Sequence, residues 1–202
     1  MQFLSFFALA TLAVASPIER RQYLGKTTEN QLLDGTPCRA ITILFARGTN
    51  EQGNVGTLVG PPFFQALATR WERVNYAADV AGFEVGGDPT GSVLLASLVG
   101  QTQSRCPNTN LVLSGYSQGG LLVHNAAAML SVSQTAFINS VVIFGDPDNG
   151  EPVGSIPSSK VLIICHVGDD ICLHGDLILP PHLTYAVNAQ QAANFVASKA
   201  GV

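Results

Sequence analysis

The residues best suited to chemistry lie in the segment Gly115-Tyr116-Ser117-Gln118-Gly119, which follows the pattern G-x-S-x-G. An apolar run that begins at Asn110 precedes it, and a run rich in helix-forming residues follows it up to Leu130. A strand, a tight turn and a helix in this order form a nucleophile elbow, which lifts a serine hydroxyl clear of the backbone. We therefore predict that Ser117 is a nucleophile, although the pattern alone also fits an ordinary glycine-rich turn.

A serine nucleophile needs a base to take its proton and an acid to orient that base. The histidines that follow the serine's helix are His166, His174 and His182, and the carboxylates after the last predicted strand are Asp169, Asp170 and Asp176. Their order leaves several pairs open. His182 is favoured because two prolines restrict the chain just before it. Asp169 is favoured because it lies between Cys165 and Cys172, where a disulfide would fix its loop.

Each candidate also has a simpler interpretation. His182 could be a loop residue bonded to a main-chain carbonyl, and Asp169 could be a turn residue beside Gly168. His124 lies two turns into the helix after Ser117, too far along for its ring to return to the hydroxyl. We therefore expect a surface or packing role for His124.

The elements that must position these residues alternate between apolar strands and helices. Besides the run at Asn110, strands are predicted over residues 40–46, 140–145 and 160–165, with a further short strand within 75–83. Helices are predicted over residues 61–73, 92–105 and 186–199 and after Ser117, and a loop over 84–91. This alternation predicts a three-layer α/β sandwich, in which helices cover both faces of a parallel sheet of about five strands.

Composition excludes several classes of protein. The chain has 202 residues, of which 47% are hydrophobic and 12% charged, and its mean hydropathy is +0.28. These values fit one domain with a substantial core and argue against disorder. The net charge of -4 and the pI of about 5.4 give no basic footprint for nucleic acid.

The N-terminus has the features of an exported protein. Residues 1–15 are predicted to be a signal peptide, with an apolar stretch too short to span a bilayer and an A-x-A pattern at its end. Residues 16–21 are predicted to be a propeptide that ends in Arg20-Arg21, unless these are simply an exposed charged pair. Residues 22–202 would then form one secreted domain without stable membrane insertion.

The chain has four cysteines, which are Cys38, Cys106, Cys165 and Cys172. In an oxidising compartment an even number indicates two disulfides, with three possible connectivities. Cys165 and Cys172 are seven residues apart and can close a small loop, which would leave Cys38 to pair with Cys106. No C-x-x-C motif and no paired histidine spacing is present, so we predict neither a metal nor another cofactor.

Taken together, these motifs resemble those of the fungal cutinases, a family of secreted serine esterases. The matching segments are residues 45–49, 53–56, 115–120, 165–172 and 181–185. They occur in the family's order and extend from about Cys38 to the C-terminus. The resemblance implies an α/β-hydrolase-type fold without a lid domain, with Ser117 as nucleophile, Asp169 as acid and His182 as base. It also implies the disulfides Cys38–Cys106 and Cys165–Cys172.

The resemblance further implies an oxyanion hole formed by the main-chain N–H groups of Thr49 and Gln118, with help from the Thr49 hydroxyl. Many cutinases have a serine where this chain has Thr49, whose branched side chain is stiffer. Asp170 stands beside the acid where the family often has an apolar residue. We expect Asp170 to alter the local electrostatics or the polarity of the rim.

The implied activity is hydrolysis of cutin, a polyester of hydroxy fatty acids, and of short-to-medium acyl esters through an acyl-enzyme. Two apolar stretches are expected to form facing walls of the site: residues 80–85, and a set made of Leu177, Ile178, Leu179, Pro180 and Leu183. Core or loop packing is the alternative for both.

The rival functions are an acetylxylan esterase or other short-chain carboxylesterase, and a non-catalytic secreted protein. A complete triad argues against the non-catalytic protein. A monomer is expected.

Overall fold

The computed structural model of the protein describes residues 24–32, 34–67 and 70–202. The predicted signal peptide and propeptide, residues 1–21, lie outside the described residues. In the part of the chain that the structure describes, no helix is both long and apolar enough to cross a membrane.

A parallel sheet of five strands forms the centre of the fold. The strands are β1 (Ile41–Ala46), β2 (Arg70–Arg73), β3 (Asn110–Tyr116), β4 (Ile138–Phe144) and β5 (Val161–Ile164), in the order β2-β1-β3-β4-β5. Every residue of β1 is buried, and so is every residue of β3 after Asn110, as expected for strands covered on both faces. Ala46 pairs with Gly115, and Tyr116 pairs with Phe144. The carboxyl ends of the three central strands therefore meet at one edge of the sheet.

Helices cover both faces of this sheet, as predicted. They are α1 (Gly60–Leu67), α2 (Val80–Glu84), α3 (Pro89–Arg105), α4 (Gln118–Met129), α5 (Val132–Phe137) and α6 (Ala189–Ala200). Helices α3 and α4 pack one core against the sheet, and α1 and α6 pack the other. Short 3-10 helices cover Ser158–Lys160, Ile171–Leu173, Pro180–Leu183 and Tyr185–Asn188.

The helix predicted over residues 61–73 is wrong in its second half. Helix α1 ends at Leu67, and Arg70–Arg73 forms the edge strand β2, which pairs with Thr42 to Phe45 of β1. Main-chain pairing at the sheet edge outweighs a weak intrinsic preference for helix. The short strand predicted within residues 75–83 is also wrong. That segment crosses over the end of β1 and leads into α2, where the Asp79 side chain accepts a hydrogen bond from the Gly82 N–H.

Two further helix starts differ from the prediction. Helix α3 begins at Pro89, inside the predicted loop, because the Asp88 side chain caps it and proline suits the first helical position. Helix α5 was not predicted at all. Ser131 and Gln134 form a capping box at its start, a signal that is readable from the sequence.

Two disulfides join distant and local parts of the domain. Cys38 pairs with Cys106 at a Cα–Cα distance of 5.6 Å, and Cys165 pairs with Cys172 at 6.0 Å. These are the pairings that the resemblance implies. The second disulfide closes the loop that carries Asp169, directly after β5.

Candidate active site

Ser117 occupies a strained turn between β3 and α4. Its φ of 55° lies in the left-handed region, where residues other than glycine are uncommon. A Cβ atom at Gly115 would lie 2.2 Å from the Gly119 carbonyl oxygen, and one at Gly119 would lie 2.1 Å from the Ala46 carbonyl oxygen. Both glycines of the G-x-S-x-G pattern are therefore required by close backbone contacts. The turn has the geometry of the predicted nucleophile elbow.

His182 and Asp169 form a buried pair at the same edge of the sheet. The His182 Nδ1 atom lies 2.8 Å from Asp169 Oδ2 and 3.0 Å from Oδ1, and each residue is 1% exposed. An ionised carboxylate only accepts hydrogen bonds, so Nδ1 carries a proton and a neutral imidazole keeps a lone pair on Nε2.

The other ring nitrogen of His182 is unengaged. Nε2 is buried and has no hydrogen-bond partner among the described residues. Ser117 and His182 border the same cavity, but this structure has no hydrogen bond between the Ser117 hydroxyl and Nε2. Such bonds are often long in enzymes without substrate. The geometry leaves Nε2 available as a base.

Asp169 has two further hydrogen-bond donors. The Ile171 N–H donates to Oδ1 at 3.1 Å, and the Tyr185 hydroxyl donates to Oδ2 at 2.6 Å. Tyr185 is fully buried, and its oxygen accepts from the His166 N–H at 2.9 Å. Burial, aided by the hydrogen bond to Asp169, raises the pKa of Tyr185 well above its ordinary value, so the phenol keeps its proton. Sequence reasoning missed Tyr185, because nothing in its spacing indicates this contact.

The imidazole of His182 is fixed from two other sides. The Tyr116 hydroxyl donates to the His182 carbonyl oxygen at 2.9 Å, and the two rings stack with centroids 5.1 Å apart. Gly145 has a φ of 58°, and a Cβ atom there would lie 2.8 Å from His182 Cε1. The ring therefore has little freedom to turn away from its acid.

Thr49 and Gln118 lie beside the elbow. Gln118 is the first residue of α4, so its main-chain N–H has no acceptor within the helix. Its side-chain Nε2 donates to Thr49 Oγ1 at 3.0 Å and to the Asp79 carbonyl oxygen at 2.7 Å. Because Thr49 Oγ1 accepts this bond, its own proton is available to a bound oxygen atom. Asp79 is a further contributor that sequence reasoning missed.

Glu51 holds the loop that carries Thr49. Its carboxylate accepts from the Gly48 N–H at 2.9 Å and from the N–H groups of Thr57 and Leu58 at 2.8 and 2.9 Å. Sequence reasoning did not single out Glu51; the signal was its place in a glycine-bearing loop at the end of a buried strand. The loop is thereby tied to the segment that leads into α1.

A cavity of about 340 Å³ opens beside Ser117 and His182. Val80 and Phe83 line it, and so do Ile178 and Leu183. Both predicted apolar stretches therefore contribute to the site. Leu177, Leu179 and Pro180 are exposed close by without lining the cavity, and two exposed carboxylates, Glu84 and Asp176, lie at its border.

Asp170 organises the loop next to the site. Its Oδ2 atom accepts from the Leu177 N–H at 3.0 Å, and its carbonyl oxygen accepts from the Gly175 N–H at 2.9 Å. Asp170 is not among the residues that line the cavity. Its carboxylate holds the main chain at Leu177, next to Ile178, which lines the cavity, and its effect on the local electrostatics or the polarity of the rim stays a prediction.

The remaining histidines are engaged elsewhere. His174 Nδ1 lies 2.7 Å from the Pro147 carbonyl oxygen, and both ring nitrogens of His166 face oxygen atoms, of Pro181 and Asn188. His124 is buried, and its Nε2 lies 3.0 Å from Asp146 Oδ2, so its role is packing and pairing within the core. Within the described residues, no group of three or more potential ligands could hold a metal.

Comparison with known proteins gives the family of the chain. The Cutinase family model matches residues 37–200. A cutinase of Monilinia fructicola is 50% identical, over 99% of this chain and 96% of that protein, and a cutinase of Botryotinia fuckeliana is 51% identical, over 84% and 88%.

Solved structures give the same result. Trichoderma reesei cutinase in complex with a phosphonate inhibitor is 44% identical, with a TM-score of 0.81 over 87% of this chain and 80% of that one. An acetylxylan esterase is 27% identical, with a TM-score of 0.67 over 82% of this chain and 100% of that one. The chain belongs to the cutinase family of carboxylic ester hydrolases.

Proposed function

We propose that this protein is a secreted, monomeric serine esterase that hydrolyses the ester bonds of cutin and of short-to-medium acyl esters. The observation that carries the proposal is the buried His182–Asp169 pair: its Nε2 is unengaged, and His182 lines the same cavity as Ser117. Export is supported by the two disulfides and by the cutinases to which the chain is similar. No cofactor enters the proposed reaction.

The first half of the reaction forms an acyl-enzyme. His182 Nε2 takes the proton of Ser117 as the hydroxyl oxygen attacks the ester carbonyl carbon. Asp169 stabilises the resulting imidazolium through Nδ1. The carbonyl electron pair moves onto oxygen, where the N–H groups of Gln118 and Thr49 and the Thr49 hydroxyl hold the oxyanion. The carbonyl reforms, the bond to the alcohol breaks, and the alcohol leaves with the proton from His182.

The second half returns the enzyme to its starting state. His182 takes a proton from a water molecule, whose oxygen attacks the acyl carbon of Ser117. The same donors hold the second oxyanion. When the bond to Ser117 breaks, His182 returns the proton to the serine oxygen and the carboxylic acid is released.

The substrate class follows from the walls of the cavity. Val80, Phe83, Ile178 and Leu183 offer apolar surface for an acyl chain, and the site is open to solvent rather than covered by a lid. Such a site suits an insoluble polyester, whose chain must reach the serine from a surface. The likeness to acetylxylan esterase supports deacetylation of a carbohydrate as a second candidate, but a sugar would leave these apolar walls poorly matched.

The test is hydrolysis of p-nitrophenyl esters from acetate to palmitate, followed by release of hydroxy fatty acids from cutin. We expect turnover to peak at short-to-medium chains. Ser117→Ala should lower kcat by about 10⁴-fold or more, because no other group forms the acyl-enzyme. The exposed Ser155→Ala is the matched control and should match the wild type.

Each alternative result has a clear meaning. Activity confined to acetate esters would overturn the cutinase assignment in favour of deacetylation. Turnover that persists at the wild-type level in Ser117→Ala would overturn the mechanism itself.

A further inference from the structure

Four consecutive carbonyl groups accept hydrogen bonds from residues next to the proposed oxyanion donors. The Tyr76 and Ala77 carbonyl oxygens accept from Arg47 Nη2 at 2.9 and 3.1 Å. The Ala78 carbonyl oxygen accepts from the Asn50 N–H at 2.7 Å. The Asp79 carbonyl oxygen accepts from the Gln118 side chain at 2.7 Å. All four carbonyl groups of this segment, residues 76–79, therefore accept hydrogen bonds from residues at or close to Thr49 and Gln118.

The donors that meet this segment come from both halves of the oxyanion hole. Arg47 and Asn50 flank Thr49 on the loop after β1. Gln118 supplies the other main-chain N–H from the start of α4. One short segment thus sets the separation between two oxyanion donors that are far apart in the sequence. Donor positions matter because the charge of the transition state is stabilised only at a specific place.

Arg47 makes two of these four contacts and is itself buried, with only 7% of its surface exposed. Besides the two carbonyl contacts of Nη2, its Nε donates to the Glu51 carbonyl oxygen at 2.9 Å. Its guanidinium carbon lies 5.0 Å from the centre of the Tyr76 ring. A planar guanidinium can donate in these separate directions at once, whereas the ammonium of lysine is a compact point charge.

Tyr76 makes a hydrogen bond in the opposite direction, from its side chain to the main chain of Arg47. Its hydroxyl donates to the Arg47 carbonyl oxygen, so each residue donates to the main chain of the other. Burial raises the pKa of Tyr76 far above its ordinary value despite the nearby Arg47 charge, so the hydroxyl stays a donor. The main chain just before Gly48 and Thr49 is therefore held from both sides.

The backbone of the segment is strained where it meets the loop. Ala78 has a φ of 52°, in the left-handed region that alanine rarely occupies. Such a conformation persists only where surrounding contacts hold it. Here the Ala78 carbonyl holds Asn50, whose own φ of 59° is also left-handed. Two strained residues therefore meet through one hydrogen bond, next to the residue that supplies an oxyanion donor.

We infer that Arg47 and Tyr76 are positioning residues for the oxyanion hole, acting through the carbonyl groups of residues 76–79. Neither residue lines the cavity, so their effect reaches the reaction through the placement of Thr49 and Gln118. This inference rests on the proposed serine esterase mechanism. It assigns a function to the buried guanidinium of Arg47, which is not part of the triad.

The test compares Arg47→Lys and Tyr76→Phe with the wild type. A displacement of a donor by about 1 Å is worth up to about 10²-fold in rate. We expect Arg47→Lys to lower kcat by about 10- to 100-fold and Tyr76→Phe by about 5- to 20-fold. KM for p-nitrophenyl butyrate should change by less than about 3-fold, because the apolar walls that bind the acyl chain are untouched.

A phosphonate ester that modifies Ser117 provides the second readout. Its adduct places an oxygen where the oxyanion forms, so the rate constant of inactivation should fall by the same factor as kcat. Active sites are counted by the stoichiometry of this adduct, which corrects kcat for any fraction that fails to fold. Arg105→Lys is the matched control, since Arg105 also donates to a carbonyl oxygen, that of Leu32, but far from the site.

The outcomes separate this inference from the proposed function. If Ser117→Ala abolishes turnover while both variants keep kcat within about 2-fold per active site, the positioning role is wrong and the esterase mechanism stands. A loss of activity explained entirely by fewer folded molecules would also overturn it. Persistent activity in Ser117→Ala would instead overturn the mechanism on which the inference rests.

Discussion

The described residues include two buried histidine–aspartate pairs, and these pairs differ at one ring nitrogen. His182 and Asp169 are joined at 2.8 Å, and His124 and Asp146 at 3.0 Å. Both aspartates are essentially inaccessible to solvent. Burial and pairing alone therefore cannot explain why one pair can do chemistry and the other cannot.

The difference lies in what the second nitrogen meets. His124 Nδ1 lies 3.3 Å from the Pro152 carbonyl oxygen, so both of its ring nitrogens face acceptors and both are satisfied only by the protonated ring. His182 Nε2 has no partner among the described residues, and His182 lines the cavity. A histidine acts as a base only where its environment leaves a lone pair exposed to substrate.

The largest expected effect comes from removing the charge of each aspartate in turn. Asp169→Asn should lower kcat by about 10⁴-fold, because an amide can donate to Nδ1 and so favour the tautomer whose Nε2 is protonated. Asp146→Asn should leave kcat within about 3-fold but lower the free energy of unfolding by about 3 kcal/mol, because it breaks a buried pair. Esterase kinetics and urea unfolding of both variants measure these quantities. Equal losses of kcat would contradict the division of roles.

An intermediate effect is expected at Tyr185, which has no counterpart at Asp146. Tyr185→Phe removes the donor to Asp169 Oδ2 and keeps the buried ring. We expect kcat to fall about 10-fold with little change in KM, as the carboxylate loses one of its fixed contacts. An unchanged kcat would show that the hydroxyl has only a packing role.

The smallest effect is a pH dependence of stability at His124. Burial lowers the pKa of His124, but the hydrogen bond and the charge of Asp146 raise it more, and Asp148 and the Pro152 carbonyl act in the same direction. Because the folded pKa is raised, the stabilisation is complete below the unfolded value of about 6.5 and is lost as the pH rises through the folded value. We expect a contribution of about 1.5 kcal/mol, at the low end of the range for hydrogen bonds to charged groups.

Urea unfolding from pH 6 to pH 9.5 checks this against His124→Gln. The stability difference between wild type and variant should shrink with rising pH, while kcat of the variant should stay within about 2-fold of the wild type. A difference that is constant over this range would show that the ring is neutral throughout.

The sequence was most informative where main-chain geometry restricts the residue type. The elbow could be predicted because any side chain at Gly115 or Gly119 would collide with a main-chain carbonyl oxygen. Buried parallel strands were readable for a similar reason, since both of their faces must be apolar. Edge strand β2 was missed because its structure depends on pairing with β1, which is far from it in sequence.

The supporting contacts of the site were not predictable from local patterns. Tyr185 follows the base by three residues, yet its contact with Asp169 depends on how two loops fold together. Asp169, rather than Asp170, contacts His182, and the role of Asp170 in shaping the loop became visible only through its bond to Leu177. Long-range hydrogen bonds between loops leave no periodic signature.

The disulfide Cys165–Cys172 has a consequence for when the protein becomes active. It closes the short loop that carries Asp169, and such bonds persist in oxidising compartments but not in the cytosol. In a chain with free thiols the loop that carries Asp169 lacks this closure. We expect ester hydrolysis to begin only after the disulfide has formed, so that a reduced chain held in the cytosol would hydrolyse esters poorly.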